Sequence, residues 1–529
     1  VKRQLLRVAR YRFGATFGRR WGGYLTIVLL LGLVGGLAMG AAAGARRTQA
    51  SFSTYLASTN PSELVAFIAF DNPSLGFTNG YDAAAVAEVA HLPYVHRQAT
   101  IVGFDANLDT VTGVHVHIPA GGKPPVLEGS FDGEYQTQDR VTLVEGRLAD
   151  PDNVGEAVMN AQAASDLGIH VGSVVRVSFD SDAQELLANP GRPRLVATIR
   201  LVGLVVLSQN VVEDQSDALG SAEVLLSSRL TRELAACCAS YSDSALQLVG
   251  GTSHVAAVKA EVGRLFPRLS AAVGTQSRAV IEATADRAIK PEAIALGVFG
   301  GLAGLAALLI AGQIIGRQLR LGASDLETMR ALGADPAMTM ADGIIGIGSA
   351  IVLGSLLAGI VAVALSPLAP LGPVRPVYPT LGVAFDWTIL GLGFGLLVVV
   401  LGGISLFLAY RRAPHLTVQG RRFFGARHSS VARAAAASGL PTPAVTGIRF
   451  ALEPGAGGDA VPVRSAILGA ALAVIVVVAT ITFGASLDSL VSHPSLYGWN
   501  WNYALLSGFA GDEDLPAHQT AALLEHDRH

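Results

Sequence analysis

Glu327 and Arg330 lie three residues apart in the segment AGQIIGRQLRLGASDLETMRALGADPAMTM, Ala311–Met340, and Leu326, Met329 and Leu332 recur every third residue around them. On a helix this spacing puts the three apolar side chains on one face and the opposite charges beside it as an i,i+3 pair. Leu319 adds a further apolar side chain, Arg317, Arg320 and Asp325 add charge, and Gly333 with Pro336 just beyond it closes the helix. The chemistry on offer is docking. An apolar stripe can enter a partner's groove while charges at the rim set orientation and on-rate. The same stripe could instead rest on lipid headgroups or on the chain's own spans.

Covalent chemistry has little to work with. The chain holds no G-x-x-x-x-G-K-[ST], H-E-x-x-H or G-x-S-x-G motif and no paired-cysteine metal motif, so no catalytic, cofactor or metal residue is expected. Its cysteines, Cys237 and Cys238, are adjacent, and buried thiols are expected there in preference to a vicinal disulfide. His170 and Asp180, at strand ends, are expected to be solvated. Asp342 and Asp386 fall near the ends of apolar runs, not at their centres, which disfavours ion-coupled transport. Energy for any transport must then come from a partner.

The elements that position the docking segment are apolar. Of 529 residues 51% are hydrophobic and only 15% charged, with a mean hydropathy of +0.45. Soluble domains carry about a quarter charged residues, so this is the composition of a membrane protein. The net charge of −3 says nothing about nucleic acid, but no basic tail or aromatic-basic interleaving appears, so no nucleic-acid partner is expected. The runs Ile294–Ile315 and Ile344–Leu365, on either side of the docking segment, are each long enough to cross a bilayer as a helix.

Residues 1–20 form a basic amphipathic segment, with Trp21 and Tyr24 at an interface and a first span over 21–45. That run is longer than a signal-peptide core, and Gly32, Gly36, Gly40 and Gly44 form an i,i+4 ridge suited to close helix packing, so it reads as a retained span. Residues 46–290 are hydrophilic. Strands are expected at Glu63–Phe70, Val95–Phe104, Ala245–Val249 and Leu269–Val273, and helices at Asp82–His91 and Ser253–Phe266. They make two β-α-β-like units flanking a β-rich insert at about 141–208, a split α+β domain. Then follow a second span (291–316), the docking helix (317–341), a third span (342–366), a loop (367–386) and a fourth span (387–410). A basic linker (411–464), a fifth span (465–484) and a second hydrophilic region (485–529) complete the sequence. Basic residues gather before span one, between spans two and three and after span four. The positive-inside rule makes those sides cytoplasmic, with Arg46 and Arg47 as a local exception.

Arg330-Ala331-Leu332-Gly333-Ala334, set between a second and third span, resembles the cytoplasmic loop of the FtsX-like permease family. These are the MacB- and LolC-type membrane subunits of type VII ABC transporters. Val144–Leu148, Gly155–Asn160 and Leu167–Val177 resemble the periplasmic domain of MacB-type permeases. The resemblance implies a multi-pass α-helical protein of the plasma membrane, N-terminus cytoplasmic, with a large extracytoplasmic α+β domain between the first and second transmembrane helices. It implies no enzyme activity in this chain. A separate ABC ATPase, itself a dimer using ATP and Mg, would grip Leu319, Leu326, Glu327, Met329, Arg330, Leu332 and Gly333. Membrane lipid, a second permease half or an extracytoplasmic protein are further partners in this reading, and the cargo would be a lipid, lipoprotein or peptide. A mechanotransmitter acting on a cell-wall enzyme or a signalling partner, and a passively anchored binding protein, stay open beside it. Ala485–Leu490 echoes Ala50–Leu56, as if a repeat begins whose second copy stops early.

Overall fold

The computed structural model describes residues 2–70, 80–104, 106–115, 126–179, 193–212, 223–267, 275–321, 336–411, 434, 437–439, 441–452 and 463–497. The chain divides into two units. One comprises residues 1–47, 292–369 and 382–501, and the other holds 48–291, 370–381 and the remainder.

The first unit is helical. Among the described residues five helices are long and apolar enough to cross a membrane: Trp21–Gln49, Arg278–Leu319, Ile345–Leu368, Trp387–Ala409 and Gly469–Leu490. In the first, a π-helical turn at Leu31–Gly35 separates the α-helical stretches Lys2–Leu30 and Gly36–Gln49. Ile27, Leu31, Ala311, Ile315, Ile351 and Leu401 are buried together at the centre of this unit. The helix Val463–Ser492 differs: Val474, Ile475, Val478 and Ile481 are all exposed.

The break expected after residue 316 is absent. One helix runs from Arg278 to Leu321, so Arg317 and Leu319 extend the second span instead of opening a separate helix. The cause is local. Gln313, Arg317, Gln318, Leu319 and Leu321 are good helix formers, and no proline interrupts them. At the other end the helix starts well before residue 291 and takes Pro291 into its interior, at the division between the two units.

The second unit is built on one mixed sheet. Its strands are β1 Leu64–Phe70, β2 Val95–Phe104, β3 Ala106–Val111, β4 Val114–His115, β5 Val126–Gly129, β6 Thr142–Gly146, β7 Glu156–Asn160, β8 Val174–Phe179, β9 Leu195–Val206, β10 Glu223–Leu226, β11 Ala239–Leu248 and β12 Thr275–Ser277. β11 lies between β1 and β2 and is antiparallel to both, and β12 pairs with the far edge of β1. Two β-α-β units are thus split and interlocked. Their helices, Ala83–Ala90 and Val255–Leu265, bury Val89, Val258 and Val262 against Leu64, Ile68 and Leu246 on one face. Asp82 caps the first helix through the amides of Ala84 and Ala85.

The insert is not a sheet of its own. β5 pairs with β2 and carries the order on through β10, β7, β9, β8, β3 and β4. The expected strand at Leu269–Val273 lies outside the described residues, and β12 follows it. Cys237 and Cys238 form a vicinal disulfide where separate thiols are expected. Both amides donate to the Leu234 carbonyl at 3.0 Å at the end of the helix Ser228–Ala235.

Candidate functional site

The glycine ridge of the first span meets the helix Pro336–Leu365. A Cβ on Gly36 would come 2.5 Å from Val361 Cβ and 3.0 Å from the Ala358 carbonyl oxygen. One on Gly32 would fall 2.4 Å from Leu357 Cδ2, and one on Gly40 would lie 3.3 Å from Leu365 Cδ1. Leu357, Val361 and Leu365 follow an i,i+4 row, so a row of side chains on one helix fills a row of missing ones on the other. Gly44 departs from the row and lies near Leu296 and Ala369. In a bilayer, where apolar side chains gain nothing by leaving lipid, such close approach is what holds helices together.

At one end of these helices the polar groups are tied locally. Arg46 Nη1 lies 3.0 Å from Asp386 Oδ1, and Arg47 Nη1 donates to the carbonyls of Ser366 (3.1 Å) and Gly382 (3.3 Å). Asp386 Oδ1 also accepts the Ile389 amide at 3.1 Å and so caps the helix Trp387–Arg411.

Of the predicted docking residues, Leu319 is half-buried against the helical core. Leu326, Glu327, Met329, Arg330, Leu332 and Gly333 lie outside the described residues, as does Asp180. His170 is exposed.

A second polar constellation had no motif to announce it. On the sheet face opposite the two helices, Tyr241 of β11 crosses over Gly103 of β2 to donate its hydroxyl to Glu128 of β5. Glu128 accepts a second hydroxyl, from Tyr135, at 2.6 Å. The crossing depends on glycine, because a Cβ on Gly103 would sit 2.1 Å from the Tyr241 ring. Segment 130–141 covers this face. Thr100 N donates to Asp132 Oδ1 (2.7 Å), Gln138 Nε2 to the Ala245 carbonyl (2.8 Å), and Asp139 accepts the amide (3.0 Å) and hydroxyl of Ser62. Glu134 and Gln138 of this segment and Asp243 of β11 are buried. Burial, with Asp139, Asp132 and Glu128 nearby, pushes the Glu134 carboxyl well above the usual range. Burial next to Glu128 does the same to Asp243. Asp139 is raised by burial, and its bonds to Ser62 and the charge of Arg278 work against that shift.

The cavity in the insert's core is lined by Leu108, Met159, Val177, Ile199, Leu201 and other apolar side chains, and offers no polar group to orient a ligand.

Neither a protein-family model nor a curated protein matches the chain. Among solved structures, the chain is similar to the periplasmic region of MacB from Actinobacillus actinomycetemcomitans, with 13% identity over 40% of this chain and 88% of that one and a TM-score of 0.24. It is also similar to the extracellular domain of the noncanonic ABC-type transporter YknZ from Gram-positive bacteria, with 12% identity over 40% of this chain and 92% of that one and a TM-score of 0.22.

Proposed function

We propose that the chain is the permease subunit of an ABC transporter, in which a separate ATPase grips a cytoplasmic segment and the work done there moves the sheet unit outside the membrane. One observation carries this reading. The helix Arg278–Leu321 starts directly after β12 and continues through the second apolar span to the first residues of the docking segment. At about 1.5 Å per residue it is roughly 66 Å of helix, with Pro291 as its one proline. A push on residues 322–335 therefore acts on a continuous helix whose far end is joined to the sheet.

The positive charges of the N-terminal segment, Arg317 and the 411–464 linker support a cytoplasmic N-terminus and an external sheet unit. The glycine seam gives the first span a tightly packed neighbour to move with. In this reading ATP and Mg belong to the dimeric ATPase. The permease pairs with a second half, and the cargo is a lipid, lipoprotein or peptide taken up outside.

The test is retention of the ATPase on a tagged permease, with membrane level as control. Met329→Asp buries an unpaired carboxylate in the proposed groove, which costs several kcal/mol and breaks a moderate complex. Glu327→Ala, at the rim, weakens it less. Equal retention by wild type and Met329→Asp would overturn the docking assignment. Retention without stimulation of ATP hydrolysis by any lipid or peptide cargo would replace transport with mechanotransmission.

A further inference from the structure

The polar pocket under segment 130–141 contains more acceptors than donors. Asp243 Oδ1, Glu134 Oε2 and Gln138 Oε1 are all buried without a hydrogen-bond partner. Facing Glu134 are Asp132 and Asp139 from its own segment and Glu128 from β5, and Asp243 also faces Glu128. Glu223 of β10 adds a further negative charge toward Tyr135 and Tyr241. On the positive side are Arg278, acting on Asp139, and Arg97 of β2, bonded to Thr137. Glu128 already accepts two tyrosine hydroxyls. A buried carboxylate without a donor costs several kcal/mol unless it is neutralised. Among the described residues no group of three or more His, Cys, Asp or Glu side chains converges as a cation site. Protonation of its own carboxyls neutralises the pocket.

We propose that Glu134 and Asp243 form a buried two-proton site that latches segment 130–141 onto the sheet, so that loading and unloading of protons closes and loosens this latch. The segment also holds residues 59–62. Asn60 Nδ2 donates to the Thr137 carbonyl (2.7 Å), Asp139 N to the Asn60 carbonyl (3.1 Å) and Arg140 N to the Thr59 carbonyl (2.8 Å). Those residues are the link between the helix Ser51–Ser58 and β1. A proton-loaded latch therefore stiffens the entry of the chain into the sheet. The inference stands on the sheet unit alone and does not depend on the permease reading.

The sign follows from linkage. Both carboxyls are raised in the folded state, so the closed form binds more protons than the open one, and their contribution is complete below the ordinary carboxyl range. It is lost as pH rises through the raised values. Between the ordinary carboxyl range and the raised values, each proton held only by the closed form makes the closed-to-open ratio fall about tenfold per pH unit, and above the raised values the dependence levels off.

The experiment is hydrogen exchange on the full chain in detergent, from about pH 5.5 to about pH 9, corrected for intrinsic exchange. In wild type, protection of residues 59–62 and 130–141 should fall with rising pH by at least about tenfold. Glu134→Gln should reduce the slope, and Glu134→Gln with Asp243→Asn should flatten it. Glu156→Gln, a carboxylate away from the pocket, should leave it as in wild type. Protection independent of pH in wild type would overturn the proposal. So would an unaltered slope in Glu134→Gln, the milder variant, which decides the matter even where the double variant fails to fold.

Discussion

Arg46 Nη1 donates to Asp386 Oδ1 at 3.0 Å across 340 residues of sequence. Arg46 and Arg47 are the residues that offend the positive-inside rule, and both have local partners: a helix-capping carboxylate for one, the carbonyls of Ser366 and Gly382 for the other. Two arginines committed in this way tie the end of the first span to the chain around the fourth.

Asp386 therefore has two roles that substitution can separate. Asp386→Ala removes the cap, at about 1 kcal/mol, and an ion pair half-exposed on the arginine side, worth about 0–1 kcal/mol. Asp386→Asn keeps a capping oxygen and loses only the charge. The alanine variant should be destabilised by about 1–2 kcal/mol and the asparagine variant by less. Tryptophan fluorescence in detergent reports it, because Trp387 begins the capped helix. Equal loss in both would assign the whole effect to the ion pair.

The glycine seam predicts a graded series. Gly36→Ala forces a methyl group against Val361 Cβ and the Ala358 backbone, which must separate, at about 1–3 kcal/mol. Gly40→Ala is tight only against the end of Leu365, with Ala362 at ordinary contact distance, and should cost less, while Gly359 and Gly402, with open space around them, should tolerate alanine. Gly36→Leu should lower detergent stability and yield most. If all four alanine variants melt together, the glycines reflect composition and not packing.

Much of this was legible beforehand, for identifiable reasons. Strand β2 falls at Val95–Phe104, where the sequence places it, and the ridge Gly32–Gly36–Gly40–Gly44 announces itself by period. Its partner could not be read, because Leu357, Val361 and Leu365 look like any apolar span. The helix of the second span runs on past residue 316, where a separate helix is expected, because Gln313, Arg317 and Gln318 prolong it. The acid pocket was invisible for another reason. Glu128, Glu134 and Asp243 are each ordinary in sequence, and only the strand order β11-β2-β5 places Glu128 within reach of Tyr241.

Outside that pocket, Arg147 and Glu156 make a bidentate pair at 2.7 and 2.6 Å, which holds the Glu156 carboxyl at about 2. A carboxyl depressed in the folded state contributes stability above its unfolded value, near 4.5, that disappears as pH falls through about 2. Glu156→Gln should therefore be less stable than wild type at neutral pH, and the two should converge near pH 2. Local hydrogen exchange in β7 measures this, and a difference that persists at the acid end would mean that packing, not charge, is lost.

Gly103 offers the sharpest test of how the sheet carries its polar face. In Gly103→Ala the new methyl group would occupy the space of the Tyr241 ring, which must swing away and leave a Glu128 oxygen buried without its donor. Overpacking costs about 1–3 kcal/mol and the orphaned acceptor about as much again. Tyr241→Ala removes the clash and the donor together, so adding Gly103→Ala to it should cost far less than adding it to wild type, a coupling of about 1–3 kcal/mol. Hydrogen exchange in β2, β5 and β11 will register it. Additive losses in the double variant would mean that Tyr241 does not pass over Gly103 in solution.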